Sequence, residues 1–254
     1  MKNLRHYGKS PYTLALVHGG PGAKGSLAGA ARELGRFRGV LEPIQTQTDI
    51  PSLVQELHEQ LSLGQPPLTL AGHSWGAWLA LIYAAYFGDR VRHLVLISCP
   101  PLTEEFTPLI LKNRLARLSS QEAQDYLQAE QTLATRPDSA AFETLQRLTQ
   151  QTDFVKPCPY DDSALDPDPA QYQAVWPQAA QLRASGKLLQ FLKRISCPVS
   201  VVHGNQDPHP LSGVLAPLAQ AGITPQVLEL AQCGHSPFAE QFARDEFYRF
   251  LLQA

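Results

Sequence analysis

The stretch Gly72-His73-Ser74-Trp75-Gly76 decides how the chain is expected to fold. The run before it, residues 67–71, is short and apolar, as a buried parallel strand is, and residues 77–87 have the length and composition of a helix. A serine between such a strand and helix lies on a sharp turn that raises its hydroxyl above the sheet. Glycines two residues before and after it remove Cβ atoms that would clash there. The spacing predicts a nucleophile elbow with Ser74 as the nucleophile.

Composition and charge are those of a globular protein, with 44% apolar residues and a formal charge of −2. Single α/β domains commonly reach about 250 residues, so one core with an insertion is expected. The sequence has no basic patch of the kind that binds nucleic acid. It also has no basic amphipathic stretch of the kind that binds a membrane surface. Residues 1–8 are not followed by the apolar segment of a signal peptide, and no run of about 18 apolar residues occurs. These features predict a cytoplasmic protein.

The chain offers no recognisable cofactor or metal motif. The cysteines, Cys99, Cys158, Cys197 and Cys233, are scattered without C-x-x-C spacing, which favours buried free thiols over a zinc site or a redox pair. The glycines of Gly19-Gly20-x-Gly22 lack the G-x-G-x-x-G spacing of a dinucleotide site. We expect neither a cofactor nor a metal.

A second glycine-rich stretch follows the strand pattern of residues 12–17. It reads His18-Gly19-Gly20-Pro21-Gly22, a turn whose backbone can approach a ligand closely. Such a loop can present a backbone N–H to a developing negative oxygen, together with the N–H of the residue after the nucleophile, Trp75. It is therefore a candidate oxyanion loop, and the alternative is a plain strand-to-helix turn.

These two motifs together resemble the α/β-hydrolase superfamily and, within it, the proline iminopeptidase branch. The resemblance covers nearly the whole chain outside the cap and implies a mostly parallel sheet, a helical cap and a Ser-Asp-His triad. It also implies that Gly20 and Trp75 form the oxyanion hole. The chain departs from the family in two places. Strand patterning begins near Tyr12, so the sheet is expected to lack the first two strands and to have about six. Residues 45–48, Gln-Thr-Gln-Thr, stand where the family has an Asp and an Arg-Gly-type turn.

The rest of the sequence alternates strand and helix patterns, except for one long segment. Residues 102–185 are polar and helical with no strand pattern of their own, and we expect them to form a cap over Ser74 inserted into a core of residues 1–101 and 186–254. Ser119 and Glu122 have capping-box spacing, and Asp138 is a candidate N-cap. The alternation in the core predicts a parallel, doubly wound α/β sheet whose site lies at the carboxyl ends of the strands.

A serine nucleophile needs a base, and a neutral imidazole suits the task because its pKa lies near the working pH. His235 is the candidate, since it follows the last strand in a glycine-flanked loop. His209 is its rival. His73 is expected to point away from the nucleophile. Structural hydrogen bonds are expected of His18 and His203, and a surface or packing role of His58.

The base in turn needs a carboxylate that fixes its tautomer and offsets its charge. Asp207 follows the penultimate strand, where the superfamily has its acid, and the chain order Ser74, Asp207, His235 fits. As an alternative, the aspartate of Asn205-Gln206-Asp207-Pro208 forms only a turn.

Three functions from different classes fit this set of residues. A small-molecule ester or amide hydrolase, a proline-iminopeptidase-like aminopeptidase acting on short peptides, and a non-catalytic ligand-binding member of the fold are all compatible with the motifs. An aminopeptidase must hold a free ammonium group. The candidate carboxylates are Glu104, Glu105, Asp161 and Asp162, against the alternative of solvated surface acids. The candidate apolar lining consists of Trp75, Trp78, Trp176 and Phe154, although Trp78 is also a core candidate.

Overall fold

The computed structural model describes residues 3–136 and 138–254, which contain two sheets. The strands in chain order are β1 (Leu4–Tyr7), β2 (Tyr12–Val17), β3 (Ala23–Lys24), β4 (Gly39–Pro43), β5 (Leu68–His73), β6 (Val91–Ile97), β7 (Asp166–Pro167), β8 (Val199–Gly204) and β9 (Gln226–Leu230). The main sheet has seven strands in the order β1-β4-β2-β5-β6-β8-β9. Only β1 runs antiparallel to its neighbour. The predicted mostly parallel, doubly wound sheet is confirmed.

The amino-terminal edge of this sheet differs from the expectation of about six strands beginning near Tyr12. A short strand, β1, precedes it and pairs with β4 from Leu4 opposite Pro43 to Tyr7 opposite Val40. Of its residues only Leu4 is fully buried, and His6 is exposed. A short edge strand with one buried apolar side chain has too little hydrophobic patterning to be recognised.

Helices cover both faces of the main sheet. They are α1 (Ala28–Leu34), α2 (Ile50–Leu61), α3 (Trp75–Tyr86), α8 (Lys187–Leu192), α9 (Ser212–Gln220) and α10 (Arg244–Gln253). Strand side chains alternate between two cores: Ala15 and Val17 lie with α2, α3 and α9, whereas Leu14 and Leu16 lie with α1 and α10. Leu53, Leu57 and Leu61, spaced four residues apart on α2, are all buried.

Four further helices lie between β6 and α8. They are α4 (Thr107–Leu115), α5 (Ser120–Thr135), α6 (Ser139–Asp153) and α7 (Pro169–Ala184). The predicted capping box of Ser119 and Glu122 begins α5, and Asp138 accepts a hydrogen bond from the Ala141 N–H at 2.9 Å to begin α6. The expectation that this segment has no strand is wrong, because β7 pairs with β3. Strand β7 has only two residues, which are too few to show the alternating apolar and polar pattern that identifies a strand in a sequence.

Within the described ranges, no helix is long and apolar enough to cross a membrane. The four cysteines are free. Cys99 and Cys233 are buried, as expected, whereas Cys158 and Cys197 are only half-buried.

Candidate active site

Ser74 lies on the turn between β5 and α3 with a φ of 54°, a left-handed conformation that non-glycine residues rarely adopt. Its backbone N–H donates to the Ile97 carbonyl at 2.9 Å. A Cβ at Gly72 would overlap the Gly76 carbonyl, and a Cβ at Gly76 would overlap the Val17 carbonyl. The predicted steric reason for both glycines is confirmed. Ser74 is half-exposed between buried neighbours and lines a cavity of about 850 Å³.

Asp207 and His235 meet at the carboxyl ends of β8 and β9. The His235 Nδ1 lies 2.8 Å from the Asp207 Oδ2, and the aspartate side chain has no exposed surface. Burial by itself raises the pKa of Asp207, but the charges and hydrogen bonds of His235 and His209 outweigh it and hold the pKa well below the ordinary 3.8. Burial lowers the pKa of His235, yet the Asp207 charge outweighs it, and the pKa is raised above the ordinary 6.5. His235 lines the same cavity as Ser74.

His209, the rival base, binds the other oxygen of the same carboxylate. Its Nδ1 lies 2.8 Å from the Asp207 Oδ1, and its backbone N–H donates to that oxygen at 2.9 Å. The aspartate is therefore both a turn former and the partner of two imidazoles. The His209 and His235 rings lie side by side, with centroids 4.3 Å apart and planes tilted by 33°.

Three other histidines make structural hydrogen bonds, as the sequence predicts for two of them. His18 contacts the Gly19 carbonyl at 2.9 Å and accepts from the Gln45 N–H at 3.2 Å, and the His203 Nε2 lies 2.8 Å from the His209 carbonyl. The His73 Nε2 lies 2.8 Å from the His235 carbonyl, so it braces the loop that carries His235. Burial lowers the pKa of His18 to about 4 and that of His73 to about 3. Each is thus neutral at physiological pH.

The glycine-rich loop approaches the elbow closely. A Cβ at Gly19 would lie 3.2 Å from the Ser74 Cβ, and Gly20 has a φ of +114° that only glycine readily adopts. Gly19 and Gly20 both line the cavity. Trp75 begins α3, where backbone N–H groups have no acceptor within the helix. Its buried indole donates to the Gln45 Oε1 at 2.8 Å.

The candidate lining residues divide in the structure. Trp176 and Phe154 line the cavity, whereas Trp75 and Trp78 are fully buried in the core. Among the candidate acids, Asp162 lines the cavity, Glu104 pairs with Arg183 at 2.8 Å, and Asp161 pairs with Arg32. Glu105 is not part of the lining. Sequence reasoning missed Glu130, which lines the cavity from α5, and the pair of Arg114 and Asp153, 3.1 Å apart.

Sequence reasoning also missed Glu240, which has no exposed surface. Its carboxylate accepts from the backbone N–H groups of Gly234, Val155 and Lys156 at 2.8 to 2.9 Å. The glutamate therefore ties the His235 loop to the segment after α6. Val155 and Lys156 lie 85 and 84 residues from Glu240 in the sequence, so no local pattern signals these two contacts.

Asp207, His209 and His235 are also the described residues whose donor atoms lie close enough together to hold a metal ion, all within 4.8 Å of one another. In the structure both Nδ1 atoms hydrogen-bond the Asp207 carboxylate.

The family is shown by a match of residues 12–242 to the model of the alpha/beta hydrolase fold, and the chain belongs to this family. Solved structures similar to it include VinJ, with 20% identity, a TM-score of 0.74 and coverage of 98% of this chain and 93% of that one. The thioesterase domain from the curacin biosynthetic pathway has 18% identity and a TM-score of 0.63, with coverage of 99% and 94%. The proline iminopeptidase of Mycobacterium smegmatis has 19% identity and a TM-score of 0.64, with coverage of 98% and 92%. No curated protein matches the sequence.

Proposed function

We propose that this protein is a serine hydrolase that cleaves a carboxylic ester or amide bond of a small molecule through an acyl-enzyme. Ser74 is the nucleophile, His235 the general base and Asp207 the acid that orients it. The observation that carries the proposal is the 2.8 Å contact between the His235 Nδ1 and the Asp207 Oδ2, on the wall of the cavity that Ser74 also lines.

In the first half-reaction, the Ser74 Oγ attacks the substrate carbonyl while His235 takes the hydroxyl proton. The Asp207 carboxylate keeps the proton on the His235 Nδ1 and offsets the charge of the imidazolium that forms. The negative oxygen of the tetrahedral intermediate rests on the N–H groups of Gly20 and Trp75. His235 then protonates the leaving group, and water repeats the cycle on the acyl-enzyme.

Residues 102–185 act in this proposal as a cap over a core of residues 1–101 and 186–254. Contacts between the two support it. The Asn113 side chain of α4 donates to the Pro208 carbonyl at 2.9 Å, and the His235 N–H donates to the carbonyl of Asp153 at 2.7 Å. The cap residues that line the cavity then define the acyl group and leaving group that fit.

The second candidate function is that of a proline-iminopeptidase-like aminopeptidase acting on short peptides. Glu130 and Asp162 both line the cavity and could hold a substrate ammonium group. The similarity to the Mycobacterium smegmatis proline iminopeptidase also favours this candidate. A non-catalytic ligand-binding role is the third candidate, which the constellation of Ser74, Asp207 and His235 disfavours.

The test compares hydrolysis of proline and alanine anilides with that of short- and medium-chain nitrophenyl esters, with Ser74→Ala purified in the same way as the control. Ester cleavage lost in the variant supports the small-molecule hydrolase. Cleavage of aminoacyl anilides that is weakened by blocking the substrate amine supports the aminopeptidase. No turnover and no labelling of Ser74 by a serine-directed phosphonate would reject both and favour ligand binding.

A further inference from the structure

The cavity wall beside His235 contains a second imidazole that the proposed mechanism does not use. His209 shares the Asp207 carboxylate with His235, and its side chain is 11% exposed while that of Asp207 is 0% exposed. The Nδ1 edge of His209 faces the buried carboxylate. The His209 Nε2 has no hydrogen-bond partner among the described residues and is not one of their buried unpartnered polar atoms, so it is open to the cavity that the ring lines.

The tautomer of His209 follows from its partner. An ionised carboxylate only accepts hydrogen bonds, so a neutral His209 in contact with the Asp207 Oδ1 carries its proton on Nδ1. Burial, followed by the charge of His235, lowers the pKa of His209 to about 4, so the ring is neutral at physiological pH. Its Nε2 then has a lone pair and no proton. Among residues 3–136 and 138–254, no group donates a hydrogen bond to this nitrogen.

The Nδ1 atoms of His209 and His235 both contact the oxygens of one carboxylate, and among the described residues neither Nε2 is a buried polar atom without a partner, so both Nε2 atoms are accessible beside each other. The ring centroids are 4.3 Å apart. One substrate atom can therefore lie at about 3 Å, a hydrogen-bond distance, from both Nε2 atoms. The atom that His235 protonates in the proposed mechanism is the leaving atom.

We infer that His209 accepts a hydrogen bond from the N–H of an amide leaving group and so makes this site selective for amides over esters. The inference rests on the proposed function. A leaving nitrogen has one lone pair in the tetrahedral intermediate, and His235 can protonate it only if that lone pair faces the imidazolium. Holding the N–H on His209 turns the lone pair toward His235.

An ester oxygen has no N–H and needs no such orientation, so the second imidazole gives it no comparable advantage. During acylation the bond from the Ser74 Oγ to the carbonyl carbon forms and the C–N bond breaks. The serine proton reaches the leaving nitrogen through His235, and the product is an amine. The hydrogen bond to His209 transfers no proton.

The experiment measures kcat/KM for a nitroanilide and a nitrophenyl ester of the same acyl group, taking the acyl group that the enzyme cleaves best. His209→Asn keeps an amide N–H near the Nδ1 position, where it can donate to Asp207, but removes the acceptor. It is expected to lower the ratio of anilide to ester turnover about five- to tenfold, the effect of one hydrogen bond. His209→Gln carries its amide oxygen near the Nε2 position and is expected to restore the ratio to within about twofold.

Asn113→Ala is the matched control, because Asn113 holds the same loop through a hydrogen bond to the Pro208 carbonyl and makes none to either ring. It is expected to change anilide and ester turnover in the same proportion. The inference fails if His209→Asn lowers both substrates equally, if Asn113→Ala lowers the ratio as much, or if the wild-type protein cleaves esters but no anilide. An absence of any turnover that depends on Ser74 would instead overturn the proposed function, and this inference with it.

Discussion

Helix α3, in the core around the main sheet, and helix α4, in the segment of residues 102–185, differ in how deeply their side chains are buried. Every residue of α3 from Trp75 to Ala85 is buried, and the helix packs against β5 and β6 at the centre of the core. In α4, whose residues are all described, none is buried. A side chain surrounded by packed neighbours has one position, whereas a half-exposed one has several. The elbow therefore belongs to a densely packed region, whereas packing constrains α4 less.

The α/β core and the segment of residues 102–185 are joined by both polar and apolar contacts. Glu240 holds backbone groups from both, and the Trp78 ring of α3 stacks on Trp176 of α7 with centroids 6.2 Å apart. Reaction chemistry is expected to depend on the α/β core and choice of substrate on the segment of residues 102–185. The following predictions, in decreasing order of expected effect, test that division.

Removal of the proposed triad should have the largest effect. Ser74→Ala and His235→Ala are each expected to lower kcat by about 10⁴-fold or more, with Asp207→Asn close behind, because nucleophile and base act as a unit. Steady-state turnover of the best substrate measures this. Glu130→Gln, which alters the cavity lining contributed by α5, should change KM more than kcat. Near-normal turnover in any triad variant would refute the assignment.

Loss of a leucine side chain should reduce stability more in α3 than in α4, and this is the second largest expected effect. Leu81→Ala, in the fully buried middle of α3, is expected to destabilise the protein by about 2–5 kcal/mol through lost burial and a cavity. Leu109→Ala, the same change at a residue of α4 that is 36% exposed, should cost less than about 0.5 kcal/mol. Urea denaturation measures both. Equal losses would contradict the contrast between the regions.

The contact between the His235 loop and the segment after α6 should depend on Glu240. Glu240→Ala leaves three backbone N–H groups, one buried and two part-buried, without their acceptor and is expected to destabilise the protein by roughly 1–3 kcal/mol. Turnover should fall as well, since Gly234 precedes His235. Glu240→Gln keeps one acceptor oxygen and should lie between the wild type and Glu240→Ala. A Glu240→Ala protein as stable and active as the wild type would show that the Glu240 hydrogen bonds do not position the His235 loop.

A decrease in pH just below neutrality should have the smallest of these effects on activity. His235 acts as a base only when neutral, and its pKa is raised above 6.5 by Asp207. Activity should therefore fall as the pH drops through that pKa, by about tenfold for each further unit. With a pKa of about 4, His209 stays neutral over this range and adds no second step. A pH–rate profile between 5 and 8 measures this, and a flat profile would exclude a histidine base.

Much of this architecture can be read from local patterns. The elbow, the glycine loop and the buried strands each carry their signal within a few residues, because sharp turns need glycine and buried parallel strands need apolar runs. The resemblance carried by the two glycine motifs extends the reading to a family, which the match of residues 12–242 shows. Strands β1 and β7 have no such signal, since each takes its place by pairing with a distant strand.

The sequence by itself determined the parallel α/β fold, the turn that raises Ser74, and the candidates Asp207 and His235 at the ends of their strands. Only the tertiary structure decided that one carboxylate holds two imidazoles and that Glu240 bridges the His235 loop to the segment after α6. It also decided that Trp75 and Trp78 belong to the core while Trp176 and Phe154 line the cavity. Turns and strands are specified by neighbours in the chain, whereas hydrogen-bond partners and cavity walls are specified by neighbours in space.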